Sequence, residues 1–267
     1  METAARPDAI DGLAEHERRF YRFQTTGRGL NSPDDLRRHF DKQAIGYDLH
    51  LAAFLPDDRE GPILDAPCGW GNFTHYLARR GYTRVTGVDF DQEQVRLARS
   101  LNLPAEQGDV FDHLDRPHAW AAIASIDFME HLSKDRALQA LDGFFAALQP
   151  GGVLILRVPS ADGPFGNAHL GNDITHKWCL TARAWAAVLR MVGFDARGLH
   201  FIDERVPPSR GLARVRYRLA NKALRWLYNA SGIVAPKVMS RSMWVVAHKA
   251  AAPVISADAS AVTAAET

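Results

Sequence analysis

The sequence predicts an α/β fold: an open, mostly parallel sheet with helices on both faces. Three observations support this class. Short apolar runs alternate with segments of helical periodicity, a glycine turn follows the first clear apolar run, and an acidic residue ends the next one. Open parallel sheets bind ligands at the edge where their strands end. The pattern therefore predicts a ligand site beside the glycine turn.

The glycine turn is the centre of the predicted fold. An apolar run ends at Leu64, and Gly69 and Gly71 then let the backbone turn sharply and approach a ligand closely. A helical segment follows, and a strand at 85–88 leads to Asp89. An acid about 20 residues beyond such a turn suits the hydroxyls of a ribose. We therefore expect a cofactor that contains adenosine.

The residue that ends the first strand, Asp65, bears on which cofactor binds. A dinucleotide fingerprint requires a third glycine at position 74, where this chain has Thr74. A carboxylate at the turn would repel a pyrophosphate, but it would attract the ammonium and sulfonium groups of S-adenosylmethionine. The alternative is an unrelated strand–helix–strand unit that happens to contain a glycine turn.

Residues 65–71, Asp-Ala-Pro-Cys-Gly-Trp-Gly, resemble the first motif of class I S-adenosylmethionine-dependent methyltransferases, in the variant with proline in place of the first glycine. Leu-Gln-Pro-Gly-Gly at 148–152 resembles a second motif of the same family. The resemblance spans about residues 62 to 195. It implies a Rossmann-like sheet of seven strands with an antiparallel last strand, and S-adenosylmethionine as cofactor. The chain departs from the family at Ala121, where an aspartate is common.

The resemblance also implies which residues contact the cofactor. An acid after the third strand accepts a hydrogen bond from the adenine amino group, a role that falls to Asp109, with Asp112 as a nearby rival. Phe90 is either an adenine contact or a core residue. The complete expected set lies at neighbouring strand ends: Asp65, Ala66, Pro67, Gly69, Gly71, Asp89, Phe90, Asp109, Val110 and Ile126.

Composition narrows the function classes. Lys and Arg number 32 and Asp and Glu 31, and this balance argues against a general nucleic-acid partner. The two cysteines, Cys68 and Cys179, lack metal-type spacing and indicate a reducing compartment. The first residues do not resemble a signal peptide, and no apolar run is long enough to cross a bilayer. We therefore expect a cytoplasmic location.

Residues 1–60 are predicted to be helical, and the resemblance implies that they form a cap over the cofactor mouth. Ser32 followed by Pro33 is a helix-start signature. Tyr47 falls on one helical face with Phe40 and Ala44. It is a candidate substrate contact, and the alternative is an aromatic residue that packs on the domain.

The remaining elements follow the same alternation. Helices are predicted from Asp91 to about Ser100, from Ser133 to Leu148 and from Thr181 to Val192. Strands are predicted at 103–110, 120–126, 153–158, 196–203 and 243–248. The methyltransferase domain is expected at 61–249, with a disordered tail at 250–267.

An insertion at 205–241 separates the last two predicted strands. It contains many cations and no acidic residue, and its apolar residues recur three and four apart. A basic amphipathic helix at 210–228 suits an anionic membrane surface. The alternative is a helix that packs on its own domain or on a second subunit, so the oligomeric state is left open.

The predicted acceptor site follows the strand that ends at Ile126. Glu130-His131 resembles a segment of family members that methylate hydroxyls of small molecules, including sugars, and Asp173-x-Thr-His176 resembles a motif of methyltransferases from bacterial surface-polysaccharide pathways. Imidazole titrates near neutral pH and suits a general base. His131 and His176 are therefore the catalytic candidates, and Tyr47, Glu130 and Asp173 the substrate-binding candidates.

A divalent metal held by His169, Asp173 and His176 is a further hypothesis, but loops rich in His and Asp are common without metals, and we expect no required metal. The predicted function is O-methylation of a sugar or glycan intermediate. Alternatives are methylation of a quinone, phenol or amine, and a methyltransferase-like protein that binds its ligand without turnover.

Overall fold

A computed structural model describes residues 32–114 and 119–251. Residues 1–31, which include half of the predicted cap, lie outside this description, as do residues 252–267 of the predicted tail. The described part of the cap is helix α1, Pro33–His50. The Ser32 hydroxyl accepts the backbone N–H of Asp35 at 3.2 Å, so the helix begins where the sequence predicted.

Seven strands form one sheet, in the order β3-β2-β1-β4-β5-β7-β6. The strands are β1 Ile63–Asp65, β2 Val85–Asp89, β3 Ala105–Gln107, β4 Trp120–Ile126, β5 Leu148–Pro159, β6 Leu199–Asp203 and β7 Ser242–His248. β7 runs antiparallel to both of its neighbours, and the other pairs are parallel. The predicted fold class is confirmed.

Helices cover both faces of the sheet. They are α2 Asn72–Arg79, α3 Gln92–Ser100, α4 Val110–Leu114, α5 Lys134–Ala147, α6 Gly166–Gly171, α7 Ala182–Val192 and α8 Gly211–Ala230. Asp91, Ser133 and Thr181 each cap the helix that follows, as expected from the sequence.

Three sequence-based boundaries were wrong. The third strand ends at Gln107 rather than at 110, because Asp109 caps the short helix α4. The sixth strand starts at Leu199, after a turn of 3₁₀ helix at Ala196–Gly198. The fifth strand starts at Leu148 rather than at 153, so it includes the Pro-Gly-Gly stretch at 150–152.

The core positions the ligand edge of the sheet. β1 is buried at every position because it lies between β2 and β4 with helices on both faces. Helix α8 differs from the rest, since none of its residues is buried. Within residues 32–114 and 119–251, no helix combines the length and the apolar character needed to cross a membrane.

Candidate active site

The glycine turn connects β1 to α2. The Ala66–Pro67 peptide bond is cis, and Gly69 and Gly71 have φ values of 55° and 88°. A Cβ atom on Gly71 would lie 2.6 Å from Leu103 Cδ1, too close for any contact. The positive φ therefore favours glycine at position 71, and a side chain there would also have to displace Leu103.

Asp65 is the last residue of β1 and lies directly before the turn. Its side chain is buried, and Thr74 Oγ1 donates to Asp65 Oδ2 at 2.7 Å. Burial raises the pKa of Asp65 to about 7, because removal from water disfavours the charged form, although the Thr74 hydrogen bond acts in the opposite direction. Thr74 replaces the third glycine of a dinucleotide fingerprint, and its role in supporting Asp65 was not predicted.

Asp89 ends β2 on the opposite side of the turn. Its two carboxylate oxygens accept the backbone N–H of Gly69 at 2.8 Å and of Asp91 at 2.9 Å. Burial raises the pKa of Asp89 to about 6, and the backbone hydrogen bonds partly offset this rise. The turn therefore lies between two buried acids.

This pair of acids fits a cationic cofactor. Within the described residues, neither Asp65 nor Asp89 forms an ion pair with a side chain. Two buried carboxylates without a counter-charge are costly, and a ligand that carries ammonium and sulfonium groups would reduce that cost. The negatively charged pyrophosphate of a dinucleotide would increase the cost of burying the two carboxylates.

The other predicted cofactor residues lie at neighbouring strand ends. Phe90 follows β2, and Ile126 is the last residue of β4. Asp109 precedes α4, and its Oδ1 accepts the backbone N–H of Phe111 at 2.9 Å, so its position differs from the predicted strand end. Val110 is buried as the first residue of that helix. Adenine contacts by these residues remain predictions.

The two predicted acceptor segments meet in the structure. His131 lies in the 3₁₀ turn Met129–His131 after β4, and its Nδ1 is 2.9 Å from Thr175 Oγ1. Thr175 Oγ1 donates to Asp173, whose Oδ1 also accepts the Thr175 backbone N–H at 2.9 Å. Because the threonine proton points to Asp173, Nδ1 of His131 is the donor, and Nε2 is the nitrogen that can take a proton.

His176 lies beside this chain of hydrogen bonds. The ring centroids of His131 and His176 are 4.7 Å apart. Burial first, and then the neighbouring His176, lower the pKa of His131 to about 4, so that ring is neutral at physiological pH. The geometry offers a neutral imidazole where an acceptor would approach from the end of β4.

Arg157 is a partly buried cation that the sequence analysis did not single out, because it lies in an otherwise apolar run. Its guanidinium donates to Glu204 at 2.7 Å and also to Asp127. Asp127 has a positive φ of 51°, just beyond β4. The arginine therefore fixes the backbone that leads into the predicted acceptor segment. The sequence signal that could have identified Arg157 is a charged residue within an otherwise apolar strand.

Tyr47 lies in an aromatic cluster. Its ring is 5.1 Å from that of Phe73, 5.2 Å from Tyr76 and 5.7 Å from Trp244, measured between centroids. The side chain is buried, and burial raises the pKa of its hydroxyl. This placement favours the packing alternative, and substrate contact by Tyr47 stays a prediction.

The fold and the glycine turn define a class: domains that bind S-adenosylmethionine at the end of the first strand of a seven-stranded sheet. A family described as "Methyltransferase domain" matches residues 37–198. The chain belongs to that family.

Curated relatives cover only part of the chain. An S-adenosyl-L-methionine-dependent Diels-Alderase from Talaromyces variabilis is 33% identical over 147 residues, which are 51% of this chain and 50% of that protein. A ubiquinone biosynthesis O-methyltransferase from Psychrobacter arcticus is 34% identical over 106 residues, which are 35% of this chain and 39% of that protein. The chain thus spans about half, or less, of the length of these relatives.

Solved structures support the fold alone. A SAM-dependent methyltransferase from Archaeoglobus fulgidus aligns with a TM-score of 0.59 and 16% identity, covering 86% of this chain and all of that one. One from Mesorhizobium loti aligns with a TM-score of 0.52 and 18% identity, covering 76% of this chain and 98% of that one. The sheet and its ligand edge are therefore those of the methyltransferase fold.

Proposed function

We propose that this methyltransferase transfers a methyl group to a hydroxyl of a sugar or glycan intermediate. The observation that carries the proposal is the contact between the two acceptor segments, 2.9 Å from His131 Nδ1 to Thr175 Oγ1. The first segment was selected in the sequence for its resemblance to enzymes that methylate hydroxyls, and the second for its resemblance to methyltransferases of surface-polysaccharide pathways. Their contact supports one acceptor site at the end of β4.

The chemistry of that site suits a hydroxyl acceptor. The oxygen of the acceptor forms a bond to the methyl carbon while the carbon–sulfur bond breaks, and the electron pair stays on sulfur. Alignment of nucleophile, methyl carbon and sulfur supplies much of the rate enhancement. The hydroxyl proton must also leave, and Nε2 of neutral His131 is our proposed base, which would contribute about 10²–10⁴-fold. His176 is the second candidate, and Glu130 and Asp173 are the proposed substrate contacts.

A quinone or phenol acceptor is the alternative. The relative from Psychrobacter arcticus is named as a ubiquinone biosynthesis O-methyltransferase and matches at 34% identity, which favours this alternative. Another relative, from Rhodopseudomonas palustris, is named as a trans-aconitate 2-methyltransferase and matches at 36% identity over 120 residues, 41% of this chain and 43% of that protein. Acceptors therefore differ among the relatives, and the acceptor must be found by assay.

Helix α8 is the proposed contact with a membrane. Its exposed apolar side chains include Leu212, Leu219 and Trp226, which are 80%, 60% and 67% exposed. The helix carries four arginines and one lysine and no acidic residue, so it complements an anionic lipid surface. We propose a cytoplasmic enzyme that contacts the inner membrane face through residues 210–228 and thus reaches lipid-linked acceptors.

The test is a mass-spectrometric screen. The purified chain is incubated with isotopically labelled S-adenosylmethionine and with separate pools of nucleotide sugars, lipid-linked sugars, quinone precursors and phenols. A labelled methyl ether on a sugar supports the proposal. Transfer only to a quinone precursor or phenol supports the alternative, and binding of the methyl donor without transfer to any pool indicates a protein without turnover.

Substitution of the candidate histidines, measured in the same assay, identifies the general base. We expect His131→Ala to lower kcat by about 10²-fold or more while donor affinity stays unchanged. His200→Ala is the matched control, because His200 lies on β6 outside the acceptor segments. Near-normal turnover of both His131→Ala and His176→Ala would rule out both histidines as the base.

A further inference from the structure

Glu130 lies in an unusual environment. Its side chain is fully buried, and neither carboxylate oxygen has a hydrogen-bond partner among the described residues. A buried carboxylate without partners is strongly destabilising, whether it is ionised or carries a proton that it cannot donate. The position therefore calls for a group that can satisfy these oxygens.

Imidazoles surround this carboxylate. His176 Nε2 lies 3.8 Å from Glu130 Oε1, which is too long for a hydrogen bond. His169 Nε2 is also buried and has no hydrogen-bond partner in the described part of the chain. One ligand atom from each of Glu130, His169 and His176 lies within 4.8 Å of the other two. The three potential ligand atoms thus lie close enough together to share one metal ion.

The tautomer of His176 is set by a backbone group. Its Nδ1 is 3.2 Å from the carbonyl oxygen of His169. A carbonyl oxygen only accepts, so Nδ1 carries the proton and Nε2 presents a lone pair toward Glu130. Metal-binding histidines are commonly oriented in this way, by a hydrogen bond from the second ring nitrogen to a backbone carbonyl.

We propose that Glu130, His169 and His176 bind one divalent transition-metal ion at the acceptor site. Two imidazoles and one carboxylate suit Zn²⁺, Mn²⁺, Fe²⁺ or Co²⁺. Asp173 belongs, with His131, to a second group of potential ligands that shares His176 with the first. The inference departs from the sequence-based expectation of no required metal, because the sequence did not place Glu130 beside His169.

The role of the ion in catalysis rests on the proposed function. A metal-bound hydroxyl has a lowered pKa, so the acceptor would lose its proton more readily before attack on the methyl group. That proton passes to His131, and the carbon–sulfur bond breaks with its electron pair on sulfur. Metal binding itself requires no acceptor and can be measured alone.

The experiment uses the full chain, purified without a histidine tag and stripped of metal by a chelator. Co²⁺ is titrated and followed by calorimetry and by visible absorption, which reports coordination by nitrogen and oxygen. We expect one equivalent to bind, and Glu130→Gln and His169→Ala to weaken binding by at least about tenfold. The control His200→Ala removes an imidazole elsewhere and should bind Co²⁺ like the wild type.

Two outcomes overturn the proposal: no stoichiometric Co²⁺ or Zn²⁺ binding by the wild type, or unchanged binding by both variants. Circular dichroism and donor affinity establish that each variant is folded. Glu130→Gln preserves shape, and His169 is only partly buried, so at least one variant should remain folded. A chain that binds metal but methylates no sugar would refute the proposed acceptor and leave the metal site standing.

Discussion

The backbone N–H of Gly69 donates to the Asp89 carboxylate at 2.8 Å, across 20 residues of sequence. This hydrogen bond joins the glycine turn after β1 to the end of β2. It holds the turn against the strand whose acid is expected to bind ribose. The hydrogen bond therefore fixes the glycine turn relative to the end of β2, and the role of each acid can be tested separately.

Asp65→Asn should stabilise the donor-free protein at pH 8 and weaken donor binding. The substitution removes a buried negative charge, which costs on the order of a few kcal/mol when ionised, and it also removes the attraction to the cationic donor. Thermal unfolding and calorimetry measure the two effects. Asp142→Asn, on an exposed position of α5, is the control and should change neither quantity. Unchanged donor affinity in Asp65→Asn would contradict the assignment of the cofactor site.

Stability and donor affinity should depend on pH in opposite directions. Burial raises the pKa of Asp65 to about 7 and of Asp89 to about 6, above the ordinary value of 3.8. The folded, donor-free protein then binds more protons than the unfolded chain between these values, so its stability falls as pH rises from about 4 to 7. Donor affinity should rise over the upper part of that range, because the cation favours ionised acids. Calorimetry and thermal unfolding from pH 5 to 8 test this, and parallel trends would refute it.

Gly71→Ala should destabilise the fold more than Gly81→Ala. Both glycines have positive φ, 88° and 85°, so both substitutions cost about 1 kcal/mol of backbone strain. A Cβ on Gly71 would also meet Leu103 at 2.6 Å, whereas a Cβ on Gly81 would meet nothing within 4 Å. The overlap should add about 1–3 kcal/mol. Denaturant unfolding measures both variants, and equal losses would contradict the packing of the turn.

Arg157→Met should destabilise the protein by about 2–3 kcal/mol. The change leaves Glu204, whose side chain is 16% exposed, without its cation. The expected loss lies below that of a fully buried pair, because the arginine side chain is 26% exposed. Arg96→Met is the control, since its pair with Glu93 is solvent-exposed and should contribute little. A loss no larger than that of the control would mean that Arg157 does not organise the acceptor segment.

Charge reversal on α8 should abolish membrane contact. The wild-type chain is expected to sediment with vesicles that contain anionic lipid, and the triple variant Arg214→Glu, Arg218→Glu, Arg225→Glu should stay in the supernatant. Reversal of Arg37, Arg38 and Arg96, which lie on other exposed surfaces, controls for net charge. Vesicles of neutral lipid provide a second control. Failure of the wild type to sediment would remove the membrane proposal without affecting the methyltransferase assignment.

Local sequence signals predicted most of the fold. Strand β4 has the expected bounds, and the caps Ser32, Asp91 and Ser133 begin their helices, because capping and periodicity act between residues close in sequence. Asp109 shows the limit of such signals. The same Gly-Asp pattern suits a strand end and a helix cap, and the hydrogen bond to Phe111 N–H decides for the cap.

The arrangement of the proposed acceptor site could not be predicted from the sequence. His131 and Thr175 are 44 residues apart, and no local rule brings them within hydrogen-bond distance. The burial of Glu130 likewise depends on packing between the end of β4 and the segment after α6. Arg157 was missed because apolar neighbours in the same strand obscured its charge. The sequence predicted the types of the elements, but it did not predict the contacts between segments that are far apart in the chain.

The two buried acids beside the glycine turn also bear on how the enzyme releases its product. Methyl transfer converts the sulfonium into a neutral thioether, so the spent cofactor has one positive charge fewer than the donor. Asp65 and Asp89 then lose part of the attraction that held it. The electrostatic contribution of these two acids to binding is therefore smaller for the spent cofactor than for the fresh donor.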